Sequence, residues 1–170
     1  AYVFAGGPAA DTSHSVAFDG TGDYLQTSAS SDYSFGTGDF TIEGWFNSTA
    51  SSNMGLFQQA QYTGLNGAYA FTVYMLSGTI RYLQTGSDND TGVTMPLNQW
   101  VHIAMVRSSG TVSVYLNGNK IHSQSNTVDY TYTDMTVGGY TGTSYLLNGK
   151  ISNFRVVKGT AVYTDSFIPQ

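Results

Sequence analysis

The sequence predicts an all-β fold, a two-sheet antiparallel β-sandwich, and three observations carry that expectation. Apolar residues recur with period two along most of the chain. Turn residues punctuate the runs at short intervals. The composition, 41% hydrophobic but only 10% charged, with 20 Gly and 13 Tyr, suits short strands and tight turns rather than charged helices.

The runs appear in order. Val16 and Phe18 lead into the turn Asp19-Gly20-Thr21-Gly22, and Tyr24 to Thr27 follows. Phe40, Ile42, Gly44 and Phe46 fall on one face of a strand, with Thr41, Glu43 and Trp45 on the other. Leu56 to Ala60, Tyr69 to Leu76 and Thr79 to Leu83 read as further strands, the last two joined by the tight-hairpin pair Ser77-Gly78. Trp100 to Arg107 and Val112 to Leu116 flank Ser108-Ser109-Gly110 as a hairpin, and Asn117-Gly118 turns the chain into Lys120 to His122. Met135 to Gly138 and Lys150 to Val157 supply two more strands. Residues 28–38, 48–53, 86–93 and 123–133 are rich in Ser, Thr, Asn, Asp and Gly and read as loops. No repeat or linker divides the chain, so residues 1–170 are expected to form one domain.

Charge excludes several functions. The formal net charge is -5, and the six Lys and Arg are scattered rather than gathered into the basic stripe that nucleic acid needs. The same acidity argues against anionic lipid, and no apolar run approaches the length of a membrane-spanning helix, so neither nucleic acid nor membrane insertion is expected. Zero Cys excludes disulfides and thiol chemistry.

The wording of the strands is itself informative. Phe18-Asp19-Gly20-Thr21-Gly22-Asp23-Tyr24-Leu25 and Gly38-Asp39-Phe40-Thr41-Ile42-Glu43-Gly44-Trp45-Phe46 resemble the opening of laminin-G-like, concanavalin-A-like jelly-roll domains. Trp100 to Arg107, Val114-Tyr115-Leu116-Asn117-Gly118, and the closing stretch from Leu147 to Tyr163 are similar to later parts of such domains, the last particularly to those of bacteriophage and marine microbial surface proteins. The resemblance implies a jelly roll with its termini close together, in a family that mostly binds glycans or proteins, sometimes through calcium. It implies a carbohydrate-recognition or adhesion module at an extracellular or virion surface, with a display domain of a capsid, tail or appendage as the alternative. The partner would be a glycan or a neighbouring protein, with homo-oligomerisation also open.

Catalysis is not expected. Glucanases of this superfamily use two carboxylates on one strand, and Glu43 is the only Glu in the chain. No Gly-x-Ser-x-Gly elbow occurs, and His14, His102 and His122 are too dispersed for a His-x-x-x-His metal motif. A lone carboxylate in a sheet needs a partner, so Glu43 is expected to pair with Arg107 or Arg155. His102, Trp45 and Trp100 are expected to pack in the core.

Tyr62, Tyr69, Tyr130, Tyr132, Tyr140 and Tyr145 sit in or beside Thr/Gly-rich loops, where an aromatic face with a polar tip suits stacking on sugar rings. Asp88-Asn89-Asp90 offers three oxygen-bearing side chains on a predicted loop, a candidate calcium site, although an ordinary solvated hairpin tip is the competing reading. Asp19, Asp23 and Asp165 would form a second calcium site if the termini meet. The chain is otherwise expected to carry no cofactor.

Overall fold

The computed structural model describes residues 14–59, 70–139 and 145–170. The strands are β1 (Val16–Asp19), β2 (Leu25–Gln26), β3 (Phe40–Ser48), β4 (Met54–Gln59), β5 (Phe71–Leu76) and β6 (Thr79–Gln84), then β7 (Ser87–Thr94), β8 (Val101–Ser108), β9 (Thr111–Leu116), β10 (Asn119–Ser125), β11 (Met135–Val137) and β12 (Asn148–Lys158). One turn of 3-10 helix lies at Ser31–Tyr33. They build two six-stranded antiparallel sheets, β1-β12-β3-β8-β9-β10 and β2-β11-β4-β5-β6-β7. This is the two-sheet sandwich anticipated from the alternation, in the jelly-roll form that the resemblance implied.

The interior forms between the sheets from the residues that alternate inward. Phe40, Ile42 and Phe46 of β3 meet Phe57 of β4 and Phe71 of β5, and all are essentially inaccessible to water. Burying each such side chain stabilises the fold by about 1.5–3 kcal/mol, which is why the alternation specifies the register so firmly.

Two-residue turns follow the sequence. Ser77-Gly78, Ser109-Gly110 and Asn117-Gly118 each place both residues at positive φ, the mirror-image turn whose twist matches a hairpin. The segment 86–93, expected as a loop, is instead most of β7, which pairs with β6 from Thr79↔Thr94 to Gln84↔Ser87. Polar residues are tolerated there because β7 is an edge strand with little of its surface buried.

The sandwich is fastened unequally along its two long edges. Where β7 and β10 come together, Gln124 donates to Gln84, and Asn126 donates to Gln84, Tyr82 and Tyr130. The hydroxyls of Tyr82 and Tyr130 are 3.0 Å apart. Burial, compounded for Tyr82 by the neighbouring Tyr130, keeps both phenols protonated by raising their pKa. Arg107 lies under this network, its guanidinium over the Tyr130 ring at 5.5 Å and its N–H groups donating to the carbonyls of Gly36, Val128 and Asn126. It ties two loops to the sheet. At the opposite edge, among the described residues, β1 pairs with β12 only from Val16↔Ile151 to Asp19↔Asn148, so no strand flanks the rest of β12 on that side.

Beyond β12 the chain crosses the outer face of the first sheet. Gly159 donates to the carbonyl of Asp39, Val162 to Thr41 Oγ1, and Phe167 to the carbonyl of Gly118. Ala161, Tyr163 and Phe167 cover Ala104, Val106 and Tyr115. Gly118, at φ 76°, lies so close to Phe167 that a Cβ would overlap its carbonyl. Gly118→Ala should therefore destabilise the protein by about 2 kcal/mol or more, from the left-handed backbone and the overlap together. Gly78→Ala is the comparison: it has the same conformation but only Ser51 Cβ nearby, at 3.7 Å, and should lose about 1 kcal/mol. Denaturant midpoints of the two variants read the difference.

Candidate functional site

Glu43 organises the covered face of the first sheet. It projects outward from β3 yet is only 4% exposed. Arg155 stands opposite it in the β12 register and donates from Nε to Oε1 at 2.6 Å, with Nη2 paired to the same oxygen. His102 Nε2 lies 3.2 Å from Oε2. Burial pushes the Glu43 pKa up, but the contacts with His102 and Arg155 outweigh it and hold the carboxyl below its ordinary range. Tyr163 closes the cluster from above, its pKa pushed up to about 12 by burial and by the Glu43 charge.

The same face settles several expectations. Glu43 pairs with Arg155, while Arg107 binds backbone carbonyls elsewhere. His102 does not enter the core between the sheets. Val101, Ile103 and Met105 do, and His102 points to the outer face with Ala104 and Val106, where Phe167 packs edge-on against it at 5.7 Å. Trp45 also lies on the outer face, edge-on to His102 at 5.4 Å, and its indole N–H donates to the Gln170 carbonyl at 3.3 Å. Trp100 is half-buried just before β8. Both faces of β8 are apolar, so alternation alone leaves open which one is inside.

The tyrosines separate. Tyr130 is fully buried between Tyr82, Asn126 and Arg107, so its ring is unavailable to a ligand. Tyr132 and Tyr145 are exposed, at 37% and 46%. Tyr62, Tyr69 and Tyr140 lie outside the described residues.

Neither acidic constellation is assembled for a metal. Asp88 and Asp90 sit on β7 with their carboxylates on Arg81, each at 2.8 Å, and Asn89 donates to the carbonyls of Tyr82 and Ser87. The guanidinium supplies the positive charge a cation would bring. Asp19 and Asp23 accept bonds within their own turn, and Asp165 follows Thr164, whose carbonyl is held by Lys120 near the far edge. No group of three metal-ligating side chains occurs among the described residues. The described ends of the chain do converge: Ser152 donates to the His14 carbonyl, and its register partner Trp45 holds Gln170.

What the structure brings together instead is a groove along the open edge, between β12 and β2–β11. One section encloses about 630 Å³, with Phe154, Val156 and Lys158 on one wall and Leu25, Met135 and Val137 on the other. Asp32 and Tyr33 close its end. A second section of about 510 Å³ continues past Ile151, Ser152 and Asn153 to Val16 and His14, and shares Leu25, Val137 and Phe154 with the first. An apolar floor with a few polar groups at the rim is the usual form of a ligand site.

A bulge in β12 makes the groove's waist. The register shifts between Ser152 and Arg155, and Asn153 takes φ 50°, so Asn153 and Phe154 together oppose Gly44. Phe154 thereby turns toward Phe57, with ring centroids 5.7 Å apart. Gly44 makes room, since a Cβ there would sit 3.1 Å from the Phe154 ring. At the closed end, Gln59 donates to the carbonyls of Tyr33 and Tyr132, and Lys158 to that of Ser31. Tyr33, Leu25 and Phe154 are not among the candidate ligand contacts that the sequence singles out. The one sequence signal was Asn153, a turn-forming residue inside a strand of alternating polar and apolar residues.

The sequence model of the concanavalin A-like lectin/glucanases superfamily, laminin G type, matches residues 19–162, and the chain belongs to that family. No curated protein matches in sequence. Among solved structures, the chain is similar to a heptameric SAP-like pentraxin from Limulus polyphemus, at 17% identity and a TM-score of 0.63, over 84% of this chain and 74% of that one. It is similar to domain 4 of AbnA, a GH43 extracellular arabinanase from Geobacillus stearothermophilus solved with arabinotriose, at 17% identity and a TM-score of 0.57, over 75% and 64%. A third is the CBM40 of the Ruminococcus gnavus IT-sialidase bound to α2,3 sialyllactose, at 13% identity and a TM-score of 0.61, over 82% and 94%.

Glu43→Gln should lower stability at neutral pH by about 2 kcal/mol, less than for a wholly buried pair because the Arg155 side chain is half exposed. The depressed pKa makes the carboxylate's contribution complete above the ordinary carboxylate range and lost as pH falls through the folded value. The gap in melting temperature between wild type and Glu43→Gln should thus narrow below about pH 4. Melting curves of both proteins across that range check the sign.

Proposed function

We propose that this chain is a non-catalytic carbohydrate-recognition module acting at an extracellular surface, and that the glycan lies in the groove between β12 and β2–β11. The observation that carries this reading is the groove itself, where Phe154 and Tyr33 offer ring faces beside the polar groups of Gln26, Thr27, Asp32 and Lys158. Sugars present apolar ring faces and equatorial hydroxyls, and such a mixture meets both. Membership of a lectin/glucanase superfamily supports the ligand class, as do the sugars bound to two of the similar structures.

The non-catalytic part is supported by Glu43. The only Glu of the chain is paired with Arg155 and His102 beneath residues 159–170, away from the groove. Retaining or inverting hydrolysis needs two carboxyl groups flanking one bond. In the groove Asp32 stands as the single carboxylate among the described lining residues.

A glycan array followed by calorimetric titration tests the proposal. Wild type should bind at least one glycan, and Tyr33→Ala and Leu25→Asp should each weaken that binding by about tenfold, equivalent to about 1.4 kcal/mol. Leu25→Asp should leave the melting temperature little changed, while Tyr33→Ala, which also removes packing on the core, should lower it modestly. Leu25 is 48% exposed, so an added charge there acts on the groove rather than the core. An empty array, or full affinity in both variants, overturns the reading.

A further inference from the structure

Resting on that reading, we infer that the groove recognises an internal stretch of a linear, uncharged polysaccharide, about four to five rings long, rather than a terminal sugar or an acidic glycan. Three features of the open edge point there.

The first is continuity. The two sections share Leu25, Val137 and Phe154, so they form one channel with a waist and not two pockets. Each section alone, at about 630 and 510 Å³, exceeds what one ring fills. The second is length. Along β12 the lining runs from Ile151 to Lys158, roughly 23 Å at the rise of an extended strand. An extended 1,4-linked pyranose chain advances a little more per ring than the about 4.8 Å between neighbouring strands, so about four to five rings span the channel. Phe154, turned in by the bulge, lies at the middle of that span, where a ring face serves an internal residue of the chain.

The third is charge. Among its described residues the lining contains one cation, Lys158, and one carboxylate, Asp32, both in the same section, so their formal charges cancel. His14 at the other end and Tyr33 are the remaining titratable groups of the described lining. A polyuronate or sialylated chain would bring a charge on every ring or at its tip to a lining whose one described cation is offset by a carboxylate, on a protein whose net charge is already -5.

Calorimetric titration of the intact chain with linear cello-, xylo-, manno- and arabino-oligosaccharides of two to six rings, and with oligogalacturonides of the same lengths, tests this. Affinity for one neutral series should rise with each ring up to about four or five and then level off, and the oligogalacturonides should bind at least tenfold more weakly. Tyr33→Ala and Val16→Ser alter opposite ends, and both should weaken the tetramer several-fold while only one of them weakens the dimer. Val16 is half exposed, so its replacement spares the fold. Affinity already complete at two rings, or tighter binding of the oligogalacturonides, overturns the inference and leaves the broader carbohydrate reading standing. Failure of every linear oligosaccharide alongside an array signal from a terminal or branched sugar does the same. No binding to any glycan overturns both.

Discussion

The asymmetry between the two long edges of the sandwich decides what the rest of the molecule can do. Along one edge, Tyr82, Gln84, Gln124, Asn126 and Tyr130 share hydrogen bonds between the sheets. Buried polar groups tolerate only full satisfaction, so this network holds the sheets at one separation. Along the other edge no such network joins β12 to β2 and β11 among the described residues, and the sheets part far enough to leave a channel floored by core side chains. A sandwich fastened on both sides would have no cleft, and one fastened on neither would have no fixed width.

The outer face of the first sheet is used in the opposite way. A face carrying Glu43, His102 and Trp45 would look like a binding surface if the strands were considered alone. Residues 159–170 lie across it, with Tyr163 over Glu43 and Phe167 against His102 and Tyr115. Tyr163 and Phe167 stack with centroids 3.4 Å apart, so the covering segment carries its own apolar contacts as well as its hydrogen bonds. The carboxylate is thereby turned from a chemical group into a fastening, and the superfamily's hydrolytic arrangement has no counterpart on this face.

Much of the fold was legible because alternation and turn chemistry act locally. Phe40, Ile42 and Phe46 had to share a face, and Asn117-Gly118 had to turn the chain, whatever else surrounded them. Features that depend on distant residues were not legible. Tyr130 reads as a loop tyrosine, and only the arrival of Tyr82 and Arg107 from other strands buries it. Asp88 and Asp90 read as a solvated tip or a calcium loop because nothing local reveals that Arg81 faces both across a strand pair. The side of β8 that His102 occupies depends on residues 159–170, whose sequence has no periodicity to announce that they cover a sheet. The groove was missed for the same reason, since its walls come from three separate stretches of chain.

Asn153 has a consequence for how such a groove could arise. Ser152 and Arg155 both point outward although they are three positions apart, because the bulge absorbs one extra residue opposite Gly44. Remove that one residue and the strand closes into regular pairing with Ser152, Arg155 and everything beyond them on the faces they already occupy. The waist of the channel thus rests on one extra residue whose effects end where they begin. Deleting that residue would remove the waist while the sheet around it, including the Glu43 pairing one position away, kept its register.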